Sequence, residues 1–246
     1  MEGPSVMVIA ERLAGFVGKT VTAAAGNARI DKDILQGKEI KAIFSRGKNL
    51  VITFPDFAIK LHFLMYGSYR IDEERAGLQP RLALRFDSAE MLNFYNCSVR
   101  ILSTHQLEEL NAGAFDIMSE NWKPERVLEQ VSKMKGELIC DVLLDQKVFA
   151  GIGNIIKNET LFMAKLHPLS RVENIPEEKL KEVILNARAF SARFYDVRKR
   201  DDKLNIHLQI YRKKQCPVCN EKVVMKRTGK RQRISFFCPS CQILYA

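Results

Sequence analysis

Cys216, Cys219, Cys238 and Cys241 form two Cys-x-x-Cys pairs with eighteen residues between them. Thiolates at this spacing suit a four-sulfur tetrahedral zinc site whose metal organises a short β-ribbon. Two disulfides or plain buried thiols are the alternatives. Disulfides need an oxidising compartment, and Met1-Glu2-Gly3-Pro4-Ser5 leads into an amphipathic pattern, not into the apolar run of a signal peptide. Structural zinc is therefore the expected cofactor. Between the pairs the chain reads Lys226-Arg227-Thr228-Gly229-Lys230-Arg231-Gln232-Arg233, a hairpin tip with five cations that suits a phosphate backbone. Cys97 and Cys140 stand alone in apolar stretches and read as core thiols. A second motif is Ala150-Gly151-Ile152-Gly153-Asn154. Its glycines permit tight turns, Asn154 can cap the following helix, and backbone N–H groups at such a start can bind phosphate. Taken alone, an ordinary helix connection is the simpler reading.

Val6, Ile9, Ala10, Leu13, Phe16 and Val17 recur at helical spacing, and Pro4 suits the first turn of that N-terminal helix. From about residue 39 to 103 the period becomes two: Phe57, Ile59, Leu61 and Phe63 alternate with Ala58, Lys60 and His62, and Leu82, Leu84 and Phe86 with Arg81, Ala83 and Arg85. With turns at Ser45-Arg46-Gly47 and Pro55-Asp56, this predicts an antiparallel sandwich or barrel. After Trp122-Lys123-Pro124 the period is helical again. Val127, Leu128, Val131 and Met134 form one stripe, Leu138, Ile139, Val142 and Leu143 a second, and Leu180, Val183, Ile184, Ala187, Phe190 and Phe194 a third. The expected architecture is α+β and multidomain: an N-terminal helix and β-sandwich over 1–120, a helical domain over 121–212, and a ribbon over 213–246.

The chain has 246 residues, 46% of them hydrophobic, which is enough for real cores. Lys and Arg number 39 against 29 Asp and Glu, a net charge of +10 that favours a polyanionic partner, with nucleic acid the default. No apolar run approaches the ~20 residues of a membrane span. A soluble, monomeric, cytoplasmic protein is expected, nucleoid-associated in a bacterium, with no membrane partner.

Four segments together resemble the formamidopyrimidine-DNA glycosylase and endonuclease VIII family of base-excision repair enzymes. Glu2-Gly3-Pro4 is similar to the endonuclease VIII opening. Leu143-Leu144-Asp145-Gln146-Lys147 through Gly151-Ile152-Gly153-Asn154 to Asn158-Glu159-Thr160-Leu161-Phe162 resembles the family's helix-two-turns-helix element. Gly47-Lys48 and, fourteen residues after Lys48, His62-Phe63-Leu64-Met65-Tyr66-Gly67 resemble its β-domain motifs. Arg233-Ile234-Ser235-Phe236-Phe237-Cys238 resembles the arginine-bearing arm of its zinc ribbon.

The resemblance implies a two-domain enzyme acting on damaged double-stranded DNA, with the damaged nucleotide extruded from the stack. It places Lys48, His62, Asn154, Tyr211 and Arg233 on phosphates flanking the lesion, with Lys48 in the catalytic set. It places Leu64, Met65 and Tyr66 in the gap left by extrusion, where a thioether and a ring replace stacking contacts. Strand alternation would instead turn one of Leu64 and Met65 into the core.

In the family the mature chain begins with a proline whose amine attacks the sugar C1′ and forms a Schiff base. Alignment of the family's Pro-Glu-Gly-Pro with Met1-Glu2-Gly3-Pro4 puts Met1 in that place. Glu2 is bulky enough to spare Met1 from removal, which leaves a primary α-amine. Such an amine has a pKa of about 7.7 to 8.0, so a useful fraction is nucleophilic near neutrality. Glu2 matches the family's acid that protonates the sugar ring oxygen, although a carboxylate near a helix N-terminus is also favoured by the helix dipole. Ser5 stands where the family usually has a second glutamate, and Ile156 replaces a common aromatic residue. The implied activity is a bifunctional glycosylase and AP lyase with a weakened lyase step.

The alternatives are an inactive damage-sensing protein of the same fold and a zinc-ribbon RNA-binding protein. The latter explains the charge and cysteines but not the N-terminal or helical motifs. Tyr66 and Asn93-Phe94-Tyr95-Asn96 lean towards the endonuclease VIII branch, and so towards oxidised pyrimidines over 8-oxoguanine. The charged stretch 196–203 falls where the family has a lesion-covering loop.

Overall fold

The computed structural model describes residues 1–112 and 115–246. The chain divides into two compact units, Met1 with Ser5–Gly113, and Glu2–Pro4 with Ala114–Ala246.

Helix α1 (Gly3–Arg12) opens the chain. Its Val6, Ile9 and Ala10 lie in one apolar core with Leu13, Phe16 and the inner face of a sheet, as the helical period requires. The sheet comprises β1 (Val21–Ala25), β2 (Ala42–Arg46), β3 (Asn49–Thr53), β4 (Phe57–Ile71), β5 (Leu82–Phe86) and β6 (Met91–Ser103). The antiparallel architecture expected from period two is present as a single bonded sheet in the order β1-β5-β6-β4-β3-β2. Alternation sends Leu50, Ile52, Ile59 and Leu61 to the main core. It sends Val51, Ala58 and Leu102 to the other face, where Leu107 and Leu110 of α2 (Thr104–Ala112) cover them. The β2–β3 connection turns at Gly47, whose φ of 55° lies in the left-handed region that favours glycine.

Strand β4 pairs with β6 from Phe57↔Ser103 to Phe63↔Cys97, and again from Ser68↔Tyr95. The register shifts between, so Leu64, Met65, Tyr66 and Gly67 have no place in the ladder, and Tyr66 has a φ of 63°.

The second unit holds α3 (Pro124–Ser132), α4 (Ile139–Val142), α5 (Asn154–Met163) and α6 (Glu177–Lys199). Val127 and Val131, Ile139 and Val142, and the full stripe from Leu180 to Phe194 meet in one core. Strands β7 (Val224–Thr228) and β8 (Arg233–Phe237) form the cysteine-framed hairpin. It belongs to the same compact unit as the helices and packs Val223 and Phe236 with Phe162 of α5. The charged stretch expected as a loop is helical in its first half, because α6 continues to Lys199. Among the described residues no helix is long and apolar enough to cross a membrane.

Candidate functional site

Glu2 is 7% exposed, and its carboxylate closes the N-terminus of α5. Oε1 accepts from Ile155 N at 2.7 Å, and Oε2 accepts from Gly153 N at 3.1 Å and Ile156 N at 3.2 Å. A carboxylate on unsatisfied helix amides makes charge-assisted hydrogen bonds and opposes the positive end of the dipole. Gly153 makes this approach possible, since a Cβ there would stand 2.4 Å from the Glu2 carboxyl carbon. Gly151, at φ 101°, turns the chain so that its carbonyl accepts from Gly3 N at 2.8 Å. The helix-start amides expected to be able to bind phosphate are thus occupied by Glu2. The helix whose dipole it meets is also not α1, the helix it precedes in sequence.

Helix α5 also carries the hairpin. Asn154 Nδ2 donates to the Ile234 carbonyl at 3.0 Å, and Asn158 Oδ1 accepts from Phe236 N at 2.7 Å. The turn between β7 and β8 sits on Asp141, whose carboxylate accepts from Lys230 N at 2.7 Å and Arg231 N at 3.2 Å. Lys230 adds an ion pair to Glu137 at 2.5 Å. Arg233 follows this anchored turn and is exposed. Tyr211 is fixed by a third buried carboxylate: Glu159, 0% exposed, accepts from Gln209, Ile210 and Tyr211 backbone N–H groups at 2.8 to 3.0 Å. The Tyr211 ring meets Phe236 edge-on at 5.0 Å. Asn154, Arg233 and Tyr211 are therefore brought onto one frame. Asp141 and Glu159, which position two of them, have no sequence signal beyond the place of Glu159 inside the motif Asn158-Glu159-Thr160.

In the first unit, Lys48 follows Gly47 in the β2–β3 turn, and His62 lies on β4 opposite Asn49. The His62 ring contacts Asn49 Oδ1 through Nδ1 at 3.2 Å. Burial, then the Lys48 charge, then the N-terminal amine hold His62 below the ordinary histidine value, against a backbone hydrogen bond to Lys48 that raises it. His62 is thus neutral at pH 7 and within electrostatic reach of Met1. Leu64, Met65 and Tyr66 are 52%, 78% and 85% exposed. The expectation that alternation would bury Leu64 or Met65 fails because the ladder is broken there.

The four cysteine Sγ atoms lie within 4.8 Å of one another. Cys216 and Cys241 are 3.8 Å apart and Cys219 and Cys238 3.4 Å, close to the roughly 3.8 Å edge of a tetrahedron with metal–sulfur bonds of about 2.3 Å. Val218 N and Cys241 N point at Cys216 and Cys238 sulfurs, as donors do around ligating thiolates. The donor set fits a tetrahedral metal. Cys97 and Cys140 are buried, as expected, and burial pushes the Cys97 thiol up to about 12.

Residues 1–98 match the family model for the formamidopyrimidine-DNA glycosylase N-terminal domain, and residues 114–191 the model for the H2TH domain of the same enzymes. Endonuclease 8-like 3 of Mus musculus is 33% identical over 220 residues, covering 85% of this chain and 35% of the relative. Endonuclease 8-like 2 of Bos taurus is 34% identical over 197 residues, covering 75% and 58%. The chain thus spans between about a third and three-fifths of these relatives. A viral DNA glycosylase superposes with a TM-score of 0.86 at 21% identity over 99% of this chain and all of the other. The Lactococcus lactis formamidopyrimidine DNA glycosylase bound to DNA with an AP site superposes at 0.87 and 24% identity, covering 98% and 99%.

Proposed function

Because the chain belongs to the formamidopyrimidine-DNA glycosylase and endonuclease VIII family, we propose that it is a base-excision repair DNA glycosylase acting on oxidised bases in duplex DNA, with an AP lyase step. The Met1 α-amine attacks C1′ of the extruded nucleotide as the base departs with the glycosidic electrons. The amine sheds a proton to the Glu2 carboxylate, which delivers it to the ring oxygen as the C1′–O4′ bond breaks, and an imine forms between C1′ and the amine. Loss of a C2′ proton then expels the 3′ phosphate, and water releases the enzyme.

The observation that carries this reading is the placement of Glu2. Three backbone N–H donors hold the carboxylate next in sequence to the amine, while Oε1 accepts only one of those bonds and keeps a lone pair for a proton. A second support is the register break in β4, which leaves Leu64, Met65 and Tyr66 exposed as wedges for the emptied stack. Lys48, His62, Asn154, Tyr211 and Arg233 grip phosphates, and zinc in the four-cysteine site holds the ribbon that presents Arg233. The protein acts as a monomer.

The test is base release from duplexes carrying single oxidised pyrimidines, alongside 8-oxoguanine and undamaged controls. Release favouring the oxidised pyrimidine supports the reading. Tight binding to abasic-site DNA with no release from any duplex would replace it with the inactive damage sensor that the absent proline and Ser5 make the second reading.

A further inference from the structure

Lys157 lies three residues beyond Asn154 on α5 and is 0% exposed. A buried ammonium loses the hydration of a full charge and is uncommon without an ion-pair partner. Among the described residues no carboxylate pairs with it. Its Nζ donates to Ser235 Oγ at 2.9 Å and to the Ile234 carbonyl at 3.3 Å. Ser235 Oγ is in turn 2.6 Å from Thr228 Oγ1 on β7. The Ile234 carbonyl also receives Asn154 Nδ2 at 3.0 Å and Asn158 Nδ2 at 3.5 Å. One carbonyl of β8, immediately after Arg233, therefore collects three donors from α5.

The hairpin does not need a charge at this point in order to dock. Asp141 already holds its turn, Asn158 holds Phe236 N, and Phe162, Val223 and Phe236 pack together. A methionine of similar length would fill the space without the desolvation cost. We propose that Lys157 is a positioning residue for Arg233, fastening β8 to α5 while keeping an ionisable amine beside the phosphate that Asn154 and Arg233 grip. The inference rests on the glycosylase reading above.

The groups facing this amine are Cys140 and Asp141 of α4, Arg233 of β8 and Glu2. Burial pushes Lys157 down to about 8, with Arg233 adding to the effect and Cys140, Asp141 and Glu2 opposing it. A phosphate arriving at Arg233 favours the protonated amine. DNA binding therefore takes up a proton at mildly alkaline pH, and affinity falls as pH rises through that range.

The experiment measures affinity for a duplex with a stable abasic-site analogue at pH 7 and pH 9. It uses wild type, Lys157→Met and Lys157→Arg, with zinc content and melting temperature recorded. The expected result is that Lys157→Met retains zinc and binds about tenfold more weakly at pH 7. Wild type should lose about fivefold more affinity between pH 7 and pH 9 than either variant, because neither replacement titrates there. The Met1 amine is common to all three and cancels. Wild-type affinity and pH slope in zinc-bearing Lys157→Met would overturn the proposal. If that variant does not fold, Lys157→Arg decides: a retained alkaline loss overturns it, and a flattened profile supports it. Failure of the wild type to prefer the abasic duplex at pH 7 would instead overturn the glycosylase reading, and this inference with it.

Discussion

Glu2 carries a carboxylate that ends helix α5 in the folded chain and, in the proposed reaction, hands a proton to the sugar. Glu2→Gln separates the two roles. Its amide nitrogen would face a backbone donor, so the variant should lose about 1–3 kcal/mol of stability. If Glu2 is also the acid, base release well below the melting temperature should fall by about 10²- to 10⁴-fold; a lower melting temperature with unchanged release would leave only the cap. His62 offers a second test. Burial, Lys48 and the N-terminal amine hold it below its ordinary value of 6.5, so the unfolded chain takes up the proton first and stability falls as pH drops below that value. A bound phosphate raises the same group, so DNA affinity should increase as pH falls from about 7 to 5.5, and His62→Gln should flatten that profile. Among single residues, the cysteines were legible because metal-ligand spacing is local. Glu2's partners were not, since they lie at least 151 positions away in sequence. Lys157 carries no such signal, because a lysine in a helix ordinarily faces solvent.

At the scale of elements, α5 organises the second unit through groups that meet backbone rather than other side chains. Glu2 ends it, Glu159 holds the segment leading to the ribbon, and Asn154 and Asn158 hold β8. Gly153→Ala would put a Cβ 2.4 Å from the Glu2 carboxyl carbon, so either the carboxylate or the start of the helix must move. Destabilisation of about 1–3 kcal/mol and a loss of activity approaching that of Glu2→Gln are expected, read by thermal melting and base release. Asp141→Asn weakens the acceptor for the hairpin turn, so it should reduce DNA affinity severalfold while base release at saturating DNA changes little. The strands and helical stripes were legible in the sequence because burial follows period two and period 3.6. The break in β4 was not, because it depends on how β6 pairs across it. The extension of α6 was hidden by the charge of residues 196–199, which reads as loop although helix tolerates it.

For the whole molecule, an excess of ten positive charges predicts affinity that falls steeply with salt. Arg233→Met should weaken binding to all duplexes alike and reduce the slope of log affinity against log salt by about 0.9. An unchanged slope would remove Arg233 from the phosphate contacts. Composition could suggest a polyanion but not the reaction, which depends on which group acts as the nucleophile. The central claim is that the Met1 α-amine forms the covalent intermediate, and borohydride trapping on abasic-site DNA tests it most directly. Reduction of the imine should give a stable protein–DNA adduct whose peptide map places the link on Met1. No adduct, or an adduct mapped to an internal lysine such as Lys48, would contradict it.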